Sequence, residues 1–288
     1  MKTTQLKFNS LKKSLKKMGK VLIAFSGGVD SSFLLKVALD TLGKDNVLAV
    51  TADSETYPRA ELKEASDLAR DLGLDGKHRI IKTSELKLKS FRKNPANRCY
   101  YCKFELFSKL KRIARENKIT YVLDGSNYSD RDDFRPGRKA INKLKVRSPL
   151  LESELTKEEI RALSKKLKLP TWNKPAFACL SSRIPYGENI TLEKLNRIEK
   201  AEEYLRSLGF KQLRVRDHQG IARIELEAKE LRKLMNQDLR KKVYQKLKGL
   251  GFSYVTLDLL GYRTGSMNEV LSAGSSNLSP VDKFGKRK

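Results

Sequence analysis

The feature that most constrains the fold of this chain is a short apolar run followed by a serine- and glycine-rich loop. The run VLIAF (21–25) is typical of a strand buried on both faces, and the loop SGGVDSS (26–32) separates it from a helical pattern. Gly27 and Gly28 can adopt backbone angles that a side chain would forbid. Successive backbone N–H groups then line a concavity at a helix N-terminus, where an anion binds favourably. The loop therefore predicts a phosphate site, but not a Walker A loop, because no Gly-Lys-Ser/Thr follows.

Strands and helices are predicted to alternate through the first part of the chain. Further strands are predicted at 47–52, 78–83 and 121–126, and helical periodicity lies at 59–73, 104–117 and 156–169. The last of these helices begins with a capping-box pattern, Thr156 followed by Glu159. Alternating strands and helices predict an α/β domain whose parallel sheet is covered by helices on both faces. We assign residues 1–172 to this domain.

The pattern changes after this domain. Residues 173–190 contain prolines, a glycine and one cysteine, and are predicted to form a linker. The predicted elements that follow are helices at 192–209 and 230–251 and strands at 211–218, 221–228 and 253–262. They indicate a smaller α+β domain at 191–272. The basic tail 273–288 is rich in Ser, Gly and Pro, and we expect it to be disordered.

The first strand of the smaller domain carries alternating charged and apolar residues. Alternation puts Arg214, Arg216 and His218 on one face of the strand. Guanidinium groups suit phosphate recognition, so Arg214 and Arg216 are candidate phosphate ligands. The alternative is a solvated face with cross-strand ion pairs. We favour that alternative for His218, Arg223 and Glu227.

The N-terminal segment has the spacing of an amphipathic helix. Its apolar residues at this spacing are Leu6, Phe8, Leu11, Leu15 and Met18. We predict a first helix packed on the domain and not one lying on a membrane. No run of about 18 apolar residues occurs, so no transmembrane helix is predicted. Three cysteines without a signal-peptide pattern favour the cytosol.

The charge of the chain is strongly positive. It has 61 Lys and Arg residues against 34 Asp and Glu residues, a formal net charge of +27. Such a charge is typical of proteins with an anionic partner such as nucleotide, nucleic acid or acidic membrane. The lysines are spread along the chain, however, and a proteome-wide bias with solvated helix faces explains them equally well.

The three cysteines are the second group of residues that predict chemistry. Cys99 and Cys102 form a Cys-x-x-Cys pair, and Cys179 lies alone in the linker. In a cytosolic chain such a pair indicates a metal site or catalysis more often than a structural disulfide. An iron–sulfur cluster, a zinc ion and a Cys99–Cys102 redox pair all remain open from the residues alone.

The loop SGGVDSS resembles that of the PP-loop ATP pyrophosphatase superfamily, which has the adenine nucleotide alpha hydrolase-like fold. The resemblance implies that ATP is cleaved between its α- and β-phosphates and that AMP is transferred to a substrate oxygen. The pyrophosphate site implied by it comprises Ser26, Gly27, Gly28, Asp30, Ser31 and Ser32. Asp30 is implied to be catalytic and to contact Mg²⁺. The residues implied to surround the adenosine are Thr51, Ala52, Asp53, Asp124, Gly125 and Ser126.

Further motifs give a closer resemblance. Trp-x-Lys-Pro-Ala (172–176), CLSSRIPYG (179–187), the strand bearing Arg214 and Arg216, and ARIEL (222–226) resemble the LarE family of sulfur transferases. These enzymes act in biosynthesis of the nickel-pincer cofactor of lactate racemase. The resemblance implies a homo-oligomer and a pyridinium-3,5-biscarboxylate mononucleotide substrate, one carboxylate of which is adenylylated. Arg214 and Arg216 are implied to bind its phosphate, with assistance from Arg183.

The family that this chain resembles has two forms, which differ in the source of the transferred sulfur. In one form of the family, the cysteine that matches Cys179 attacks the acyl-adenylate and surrenders its own sulfur, leaving dehydroalanine. In a second form, three cysteines bind a [4Fe-4S] cluster that carries an extra sulfide. Because Cys99 and Cys102 accompany Cys179 here, the second form is expected, with all three as metal ligands. The sequence does not identify the sulfur donor.

Two rival functions are weighed against this expectation. A PP-loop tRNA thiolation enzyme would share the cluster and the adenylylation, and the positive charge favours it. The Arg214 and Arg216 strand, however, suits one small phosphate, so a nucleic-acid partner is not expected. A non-catalytic nucleotide-binding module would release no pyrophosphate, and the intact loop argues against it.

Overall fold

A computed structural model describes residues 3–131, 136–175 and 178–272 of the chain. These residues form two compact units. The first runs to Leu180 and includes 190–192, and the second comprises 181–189 and the residues from 193 onward. The tail 273–288, for which disorder is predicted, lies outside the described residues. Within the described ranges, no helix is long and apolar enough to span a membrane.

The first unit contains four strands and eight α-helices among the described residues. Its strands are β1 (Val21–Ala24), β2 (Val47–Asp53), β3 (His78–Lys82) and β4 (Tyr121–Leu123). Its helices are α1 (Thr4–Met18), α2 (Val29–Leu42), α3 (Arg59–Asp71), α4 (Lys89–Arg92), α5 (Arg98–Glu116), α6 (Gly137–Lys143), α7 (Pro149–Glu152) and α8 (Lys157–Lys166). Strands and helices alternate as predicted, but α5 begins earlier than predicted and includes both cysteines of the Cys-x-x-Cys pair.

The four strands form one parallel sheet in the order β3-β2-β1-β4. Val21 of β1 lies opposite Val47 of β2 on one side and Tyr121 of β4 on the other. Consecutive parallel strands need a crossover, and the helices between them supply it. The carboxyl ends of β1, β2 and β4 therefore meet at the same edge of the sheet.

Both faces of this sheet are covered by helices, which confirms the predicted α/β class. Val21 and Ile23 contribute to one hydrophobic core, together with residues of α1, α2, α3 and α8. Leu22 contributes to the opposite core, together with Phe107 and Leu110 of α5. Because successive strand residues point to opposite faces, a strand buried on both sides has a continuous apolar sequence.

The N-terminal helix is confirmed, with one correction to its buried face. Phe8, Leu11, Leu15 and Met18 are buried, but Leu6 is exposed. Lys7 is buried instead and pairs with Glu159 of α8 at 3.0 Å. The capping box of α8 is confirmed, since the hydroxyl of Thr156 accepts from the Glu159 N–H.

The second unit is built on a small mixed sheet in the order β5-β6-β7. Its strands are β5 (Leu213–His218), β6 (Ile221–Leu226) and β7 (Tyr254–Leu257), and its helices are α9 (Leu192–Ser207), α10 (Ala228–Leu231), α11 (Gln237–Gly249) and α12 (Glu269–Ser272). β5 and β6 form the predicted antiparallel hairpin, whereas β6 and β7 are parallel. The predicted helix at 230–251 is broken, because Asn236 caps α11 by accepting from the Leu239 N–H.

Candidate active site

The phosphate loop joins β1 to α2, and its two glycines differ in conformation. Gly27 has a φ of +65°, and a Cβ atom there would lie 2.8 Å from the Cβ of Ala65 on α3. Gly28 has a φ of −79° and is the N-cap of α2. Of the two glycines that can adopt a positive φ, only Gly27 does so. At position 27, both the positive φ and the lack of space for a Cβ atom require glycine.

The serines of the loop hold it in a compact turn. The Ser31 hydroxyl accepts from the Ser26 N–H at 3.2 Å and lies 3.2 Å from the Gly28 carbonyl, to which it donates. The Ser26 and Ser31 hydroxyl oxygens are 3.1 Å apart. The Ser32 hydroxyl is buried and has no hydrogen-bond partner among the described residues. The turn leaves the first N–H groups of α2 at its open end.

Asp30 lies in the first turn of α2 and has two polar neighbours. Its Oδ2 atom is 2.5 Å from the Nζ of Lys157, the first residue of α8. Its Oδ1 atom accepts from the Asn127 side-chain amide at 3.3 Å. The carboxylate thus already has a cation beside it at the mouth of the loop. No sequence pattern selects Lys157 or Asn127, because Lys157 begins α8 and Asn127 follows β4, both far from Asp30 along the chain.

The residues that follow β4 pack closely against the start of α2. A Cβ atom on Gly125 would lie 3.1 Å from the Ser31 backbone nitrogen, so glycine permits this approach. Asp124 is buried and accepts hydrogen bonds from the hydroxyls of Ser126 at 2.6 Å and Ser148 at 2.5 Å. Lys103 of α5 lies 3.6 Å from the Asp124 carboxylate. These contacts fix the β4 end of the predicted nucleotide site.

A cavity of about 320 Å³ opens at this edge of the sheet. Of the residues predicted to bind ATP or to lie around it, those that line the cavity are Ser26, Gly28, Asp30, Ser31, Thr51, Ala52, Asp124, Gly125 and Ser126. Asp53 is not among the lining residues, and its carboxylate pairs with Arg59 at 2.6 Å. The volume falls within the range of small-molecule sites, roughly 300–1,000 Å³.

Two of the three cysteines line the same cavity. Cys102 reaches it from α5, and Cys179 reaches it from the segment after the described residue Pro175. The N–H of Leu180 donates to the Thr56 carbonyl at 2.9 Å and so anchors the Cys179 segment beside β2. Cys99, about one helical turn before Cys102, is exposed. None of the three, all of which lie in the described part of the chain, forms a disulfide.

The surroundings of Cys102 favour the neutral thiol. Burial raises the pKa of Cys102 well above its usual value, and the nearby Glu85, Cys179 and Cys99 raise it further. Glu85 is itself buried, with one carboxylate oxygen 3.8 Å from the Cys102 sulfur and the other without a hydrogen-bond partner in the described structure. Burial also raises the pKa of Glu85. Among the described residues, no group of three or more His, Cys, Asp or Glu side chains is arranged to hold a metal ion.

Sequence reasoning missed several side chains at this cavity. Lys103, Glu85 and Tyr57 line it, and Lys174 reaches the carbonyl of Gly27. Position gave a usable signal for Lys103, which directly follows the Cys-x-x-Cys pair, and for Lys174, which lies in the Trp-x-Lys-Pro-Ala motif. Glu85 and Tyr57 carry no such signal, because they belong to connections between strands and helices.

The second unit buries the arginines that the sequence singled out. Arg183 is fully buried and forms a two-pronged ion pair with Glu202 of α9, at 2.9 and 3.0 Å. Burial alone would raise the pKa of Glu202, but Arg183, Arg214 and Arg206 outweigh it and lower the pKa to about 2. The Glu202 carboxylate is therefore ionised, as a buried partner of several guanidinium groups must be.

Arg216 and Arg214 are also buried. Arg216 pairs with Glu225 at 3.0 and 2.7 Å and donates to the Ser182 carbonyl at 2.9 Å. Arg214 lies over the Tyr262 ring, and burial together with the positive charge of Arg183 lowers its pKa to about 10. The face shared by Arg214 and Arg216 is thus enclosed and not solvated.

The structure also shows the surroundings of His218, Arg223 and Glu227, for which ion pairing is favoured over phosphate binding. Arg223 lies 3.0 Å from Glu225, opposite Arg216 in the strand register. Glu227 pairs with Lys229 at 2.8 Å. The pKa of His218 is lowered by burial first and by Arg223 second. The predicted phosphate role of Arg183, Arg214 and Arg216 stays a prediction.

Comparison with known proteins identifies the family. A family model described as NAD synthase matches residues 4–103, the part that contains the phosphate loop. The pyridinium-3,5-bisthiocarboxylic acid mononucleotide synthase of Lactiplantibacillus plantarum is 43% identical over 94% of this chain and 97% of its own length. The chain belongs to the family of this synthase, the LarE family. It is an ATP-dependent enzyme of the PP-loop type, as the resemblance predicted.

Two further relatives match over most of their length. An uncharacterized protein of Synechocystis is 44% identical over 92% of this chain and 98% of its own length. An uncharacterized protein of Methanocaldococcus jannaschii is 31% identical over 89% of this chain and 95% of its own length. Both units therefore belong to the shared part of the family. The three-cysteine form with a cluster is not tested by these matches and stays a prediction.

The contrast between the two glycines of this LarE-family loop can be tested by stability. We expect Gly27→Ala to lower the free energy of unfolding by about 2 kcal/mol or more, because a strained backbone costs of the order of 1–3 kcal/mol and the new methyl group would overlap Ala65. Gly28→Ala is the matched control and should change it by less than about 1 kcal/mol. Urea unfolding measures both, and equal destabilisation would contradict the assignment.

Proposed function

We propose that this enzyme is an ATP-dependent sulfur transferase acting on pyridinium-3,5-biscarboxylic acid mononucleotide. One carboxylate is adenylylated and then converted to a thiocarboxylate for the nickel-pincer cofactor. The observation that carries the proposal is the shared cavity of the first unit, which joins the phosphate loop to the thiols of Cys102 and Cys179. The product class is that of the related Lactiplantibacillus plantarum synthase, a pyridinium-3,5-bisthiocarboxylic acid mononucleotide.

Adenylylation is the first step of the proposed reaction. A carboxylate oxygen of the substrate attacks the α-phosphorus of ATP, the bond to the β-phosphate oxygen breaks, and pyrophosphate leaves with the electron pair. The loop N–H groups and the N-terminus of α2 stabilise the charge that develops on the pyrophosphate. Asp30 would hold the Mg²⁺ ion, which suits carboxylate oxygen and neutralises phosphate charge. Lys157, already beside Asp30, adds a second cation at the same place.

Sulfur transfer is the second step. A sulfur nucleophile attacks the acyl carbon, and the bond from this carbon to AMP breaks, so that AMP leaves with the electron pair. Cys102 and Cys179 lie in the cavity wall and so put the sulfur source next to the acyl-adenylate. The step is favourable because an acyl-adenylate is a far better electrophile than a carboxylate.

The three cysteines of the first unit are the donor set that we propose for a [4Fe-4S] cluster. Cys99, Cys102 and Cys179 would supply three thiolates; Cys102 and Cys179 line the cavity, and Cys99 lies about one helical turn before Cys102. The cluster would supply, on its open iron, the inorganic sulfide that is transferred. In the described conformation the thiols are not grouped as ligands, and Cys99 would have to turn inward from its exposed position.

The substrate phosphate is proposed to bind in the second unit. Arg183, Arg214 and Arg216 are buried in this unit, where Arg183 pairs with Glu202 and Arg216 pairs with Glu225. Guanidinium groups gathered in one enclosed place suit a dianionic phosphate, which accepts charge-assisted hydrogen bonds from several of them. Burial first, and the positive charge of Arg183 second, lower the pKa of Arg214.

The adenylylation site is tested by Asp30→Ala. Loss of the metal-binding carboxylate is expected to lower substrate-dependent release of pyrophosphate from ATP by about 100-fold. Asp75→Ala, which changes an exposed carboxylate, is the control and should leave release unchanged. Pyrophosphate is measured with the mononucleotide present. Normal release by the Asp30 variant would overturn the assignment.

The cluster is tested by iron and acid-labile sulfide in protein purified and reconstituted without oxygen. We expect about four of each per chain in the wild type, and loss of both from Cys99→Ala and Cys102→Ala together with loss of repeated turnover. Tyr101→Phe, between the two cysteines, is the control and should retain both. No iron or sulfide in the wild type would contradict the cluster. Conversion of Cys179 to dehydroalanine after one turnover, detected as a loss of mass at that residue while its sulfur leaves on the thiocarboxylate product, would then identify Cys179 as the sulfur source.

The substrate phosphate site is tested by Arg214→Gln. Because Arg214 is proposed to contact the mononucleotide and not ATP, the KM for the mononucleotide should rise about 10-fold or more while the KM for ATP stays unchanged. Arg214→Lys should recover part of the loss, and Arg240→Gln on the exposed side of α11 is the control. An equal rise of both KM values would indicate a structural role and refute the assignment.

A further inference from the structure

Two side chains from outside the phosphate loop reach its carbonyl oxygens. The Tyr57 hydroxyl donates to the Ser26 carbonyl at 2.5 Å. The Lys174 ammonium donates to the Gly27 carbonyl at 3.4 Å. Tyr57 lies in the connection between β2 and α3, and Lys174 follows the turn at 170–173. Two consecutive peptide groups of the loop are therefore held from two separate segments of the first unit.

The planarity of the peptide bond links these carbonyls to the anion-binding N–H groups. In a trans peptide the C=O of one residue and the N–H of the next point in opposite directions. A donor on the Ser26 carbonyl therefore fixes the direction of the Gly27 N–H, and a donor on the Gly27 carbonyl fixes that of the Gly28 N–H. These two N–H groups belong to the stretch that enters the N-terminus of α2.

The peptides concerned need such external support. Gly27 has a φ of +65° and carries no side chain to restrict its neighbouring peptide planes. A flipped peptide would present a carbonyl oxygen to the phosphate in place of an N–H donor and would repel it. The serine hydroxyls of the loop do not prevent this, because Ser31 bonds the Ser26 N–H and the Gly28 carbonyl and neither peptide carbonyl between them.

One of the two supporting side chains, Lys174, is itself held by an acidic pair on α3. Lys174 lies 2.7 Å from Glu61 and 2.7 Å from Glu64. Burial alone would lower the pKa of Lys174, but the two carboxylates outweigh it, so the ammonium stays a donor. Burial, with Glu61 and Glu64, raises the pKa of Tyr57, which keeps its hydroxyl protonated. The carbonyl of Lys174 also accepts from Arg161 of α8 at 2.8 Å.

We propose that Tyr57 and Lys174 are positioning residues that aim the Gly27 and Gly28 N–H groups at the pyrophosphate part of ATP. The inference deepens the proposed adenylylation site and rests on it. It predicts a selective effect, because AMP lacks the two phosphates that these N–H groups would hold. Loss of either side chain should weaken binding of pyrophosphate and spare binding of AMP.

The test uses the full chain, isothermal titration calorimetry, and inorganic pyrophosphate and AMP as separate probes with magnesium present. Tyr57→Phe removes only the hydroxyl and should weaken pyrophosphate binding about threefold to tenfold. Lys174→Met removes a charged donor and should weaken it about 10-fold or more. AMP affinity should stay within about twofold in both. The controls Tyr254→Phe and Lys166→Met change exposed residues and should leave both affinities unchanged.

The outcomes separate this inference from the function on which it rests. Wild-type protein that binds no pyrophosphate would overturn both the adenylylation site and the inference. Wild-type binding with unchanged affinity in the two variants would overturn the inference alone. An equal loss of pyrophosphate and AMP affinity would show a general loss of structure and would also overturn it. If Lys174→Met fails to fold, the nearly isosteric Tyr57→Phe decides the question.

Discussion

The first unit depends on one strand that is hydrogen-bonded on both edges and buried on both faces. Val21, Leu22 and Ile23 of β1 are fully buried, and β1 pairs with β2 and β4 in parallel. Parallel pairing puts the carboxyl ends of these strands at one edge, where ligands bind in open α/β sheets. The phosphate loop, the end of β2 and the end of β4 meet at one cavity because β1 cannot shift relative to its neighbours.

The same arrangement explains why thiols distant in sequence share a site with the loop. The first turns of α5 carry Cys102, and the Leu180–Thr56 hydrogen bond anchors Cys179 beside β2. Burial keeps the Cys102 thiol protonated, so as a free group it is a poor nucleophile. Coordination to a metal deprotonates a thiol outright. The raised pKa thus makes Cys102 a poor candidate for a free thiol relay, and its role as a metal ligand stays a prediction.

Much of the fold follows from local patterns, because strand runs, helical periodicity and capping residues act over a few positions. The predictions were wrong at positions where tertiary packing, and not the local sequence pattern, determines the structure. Leu6 has the spacing of a buried residue but is exposed, and Asn236 interrupts a pattern that otherwise continues. Tyr57 and Lys174 reach the loop across 31 and 147 residues of sequence, and no short-range pattern carries such contacts. Period-two alternation likewise identified which arginines share a face but not that the face is enclosed.

The three buried arginines bear more directly on function than the exposed ion pairs do. An exposed ion pair contributes little and needs no explanation, whereas a buried charge is costly unless it is compensated. Arg183 pairs with Glu202 and Arg216 pairs with Glu225, and the guanidinium groups around Glu202 lower its pKa to about 2. A fold that needed these arginines only for stability would often be served as well by apolar side chains of similar volume. The burial of three arginines in one unit therefore agrees with the proposed binding of an anionic substrate group there.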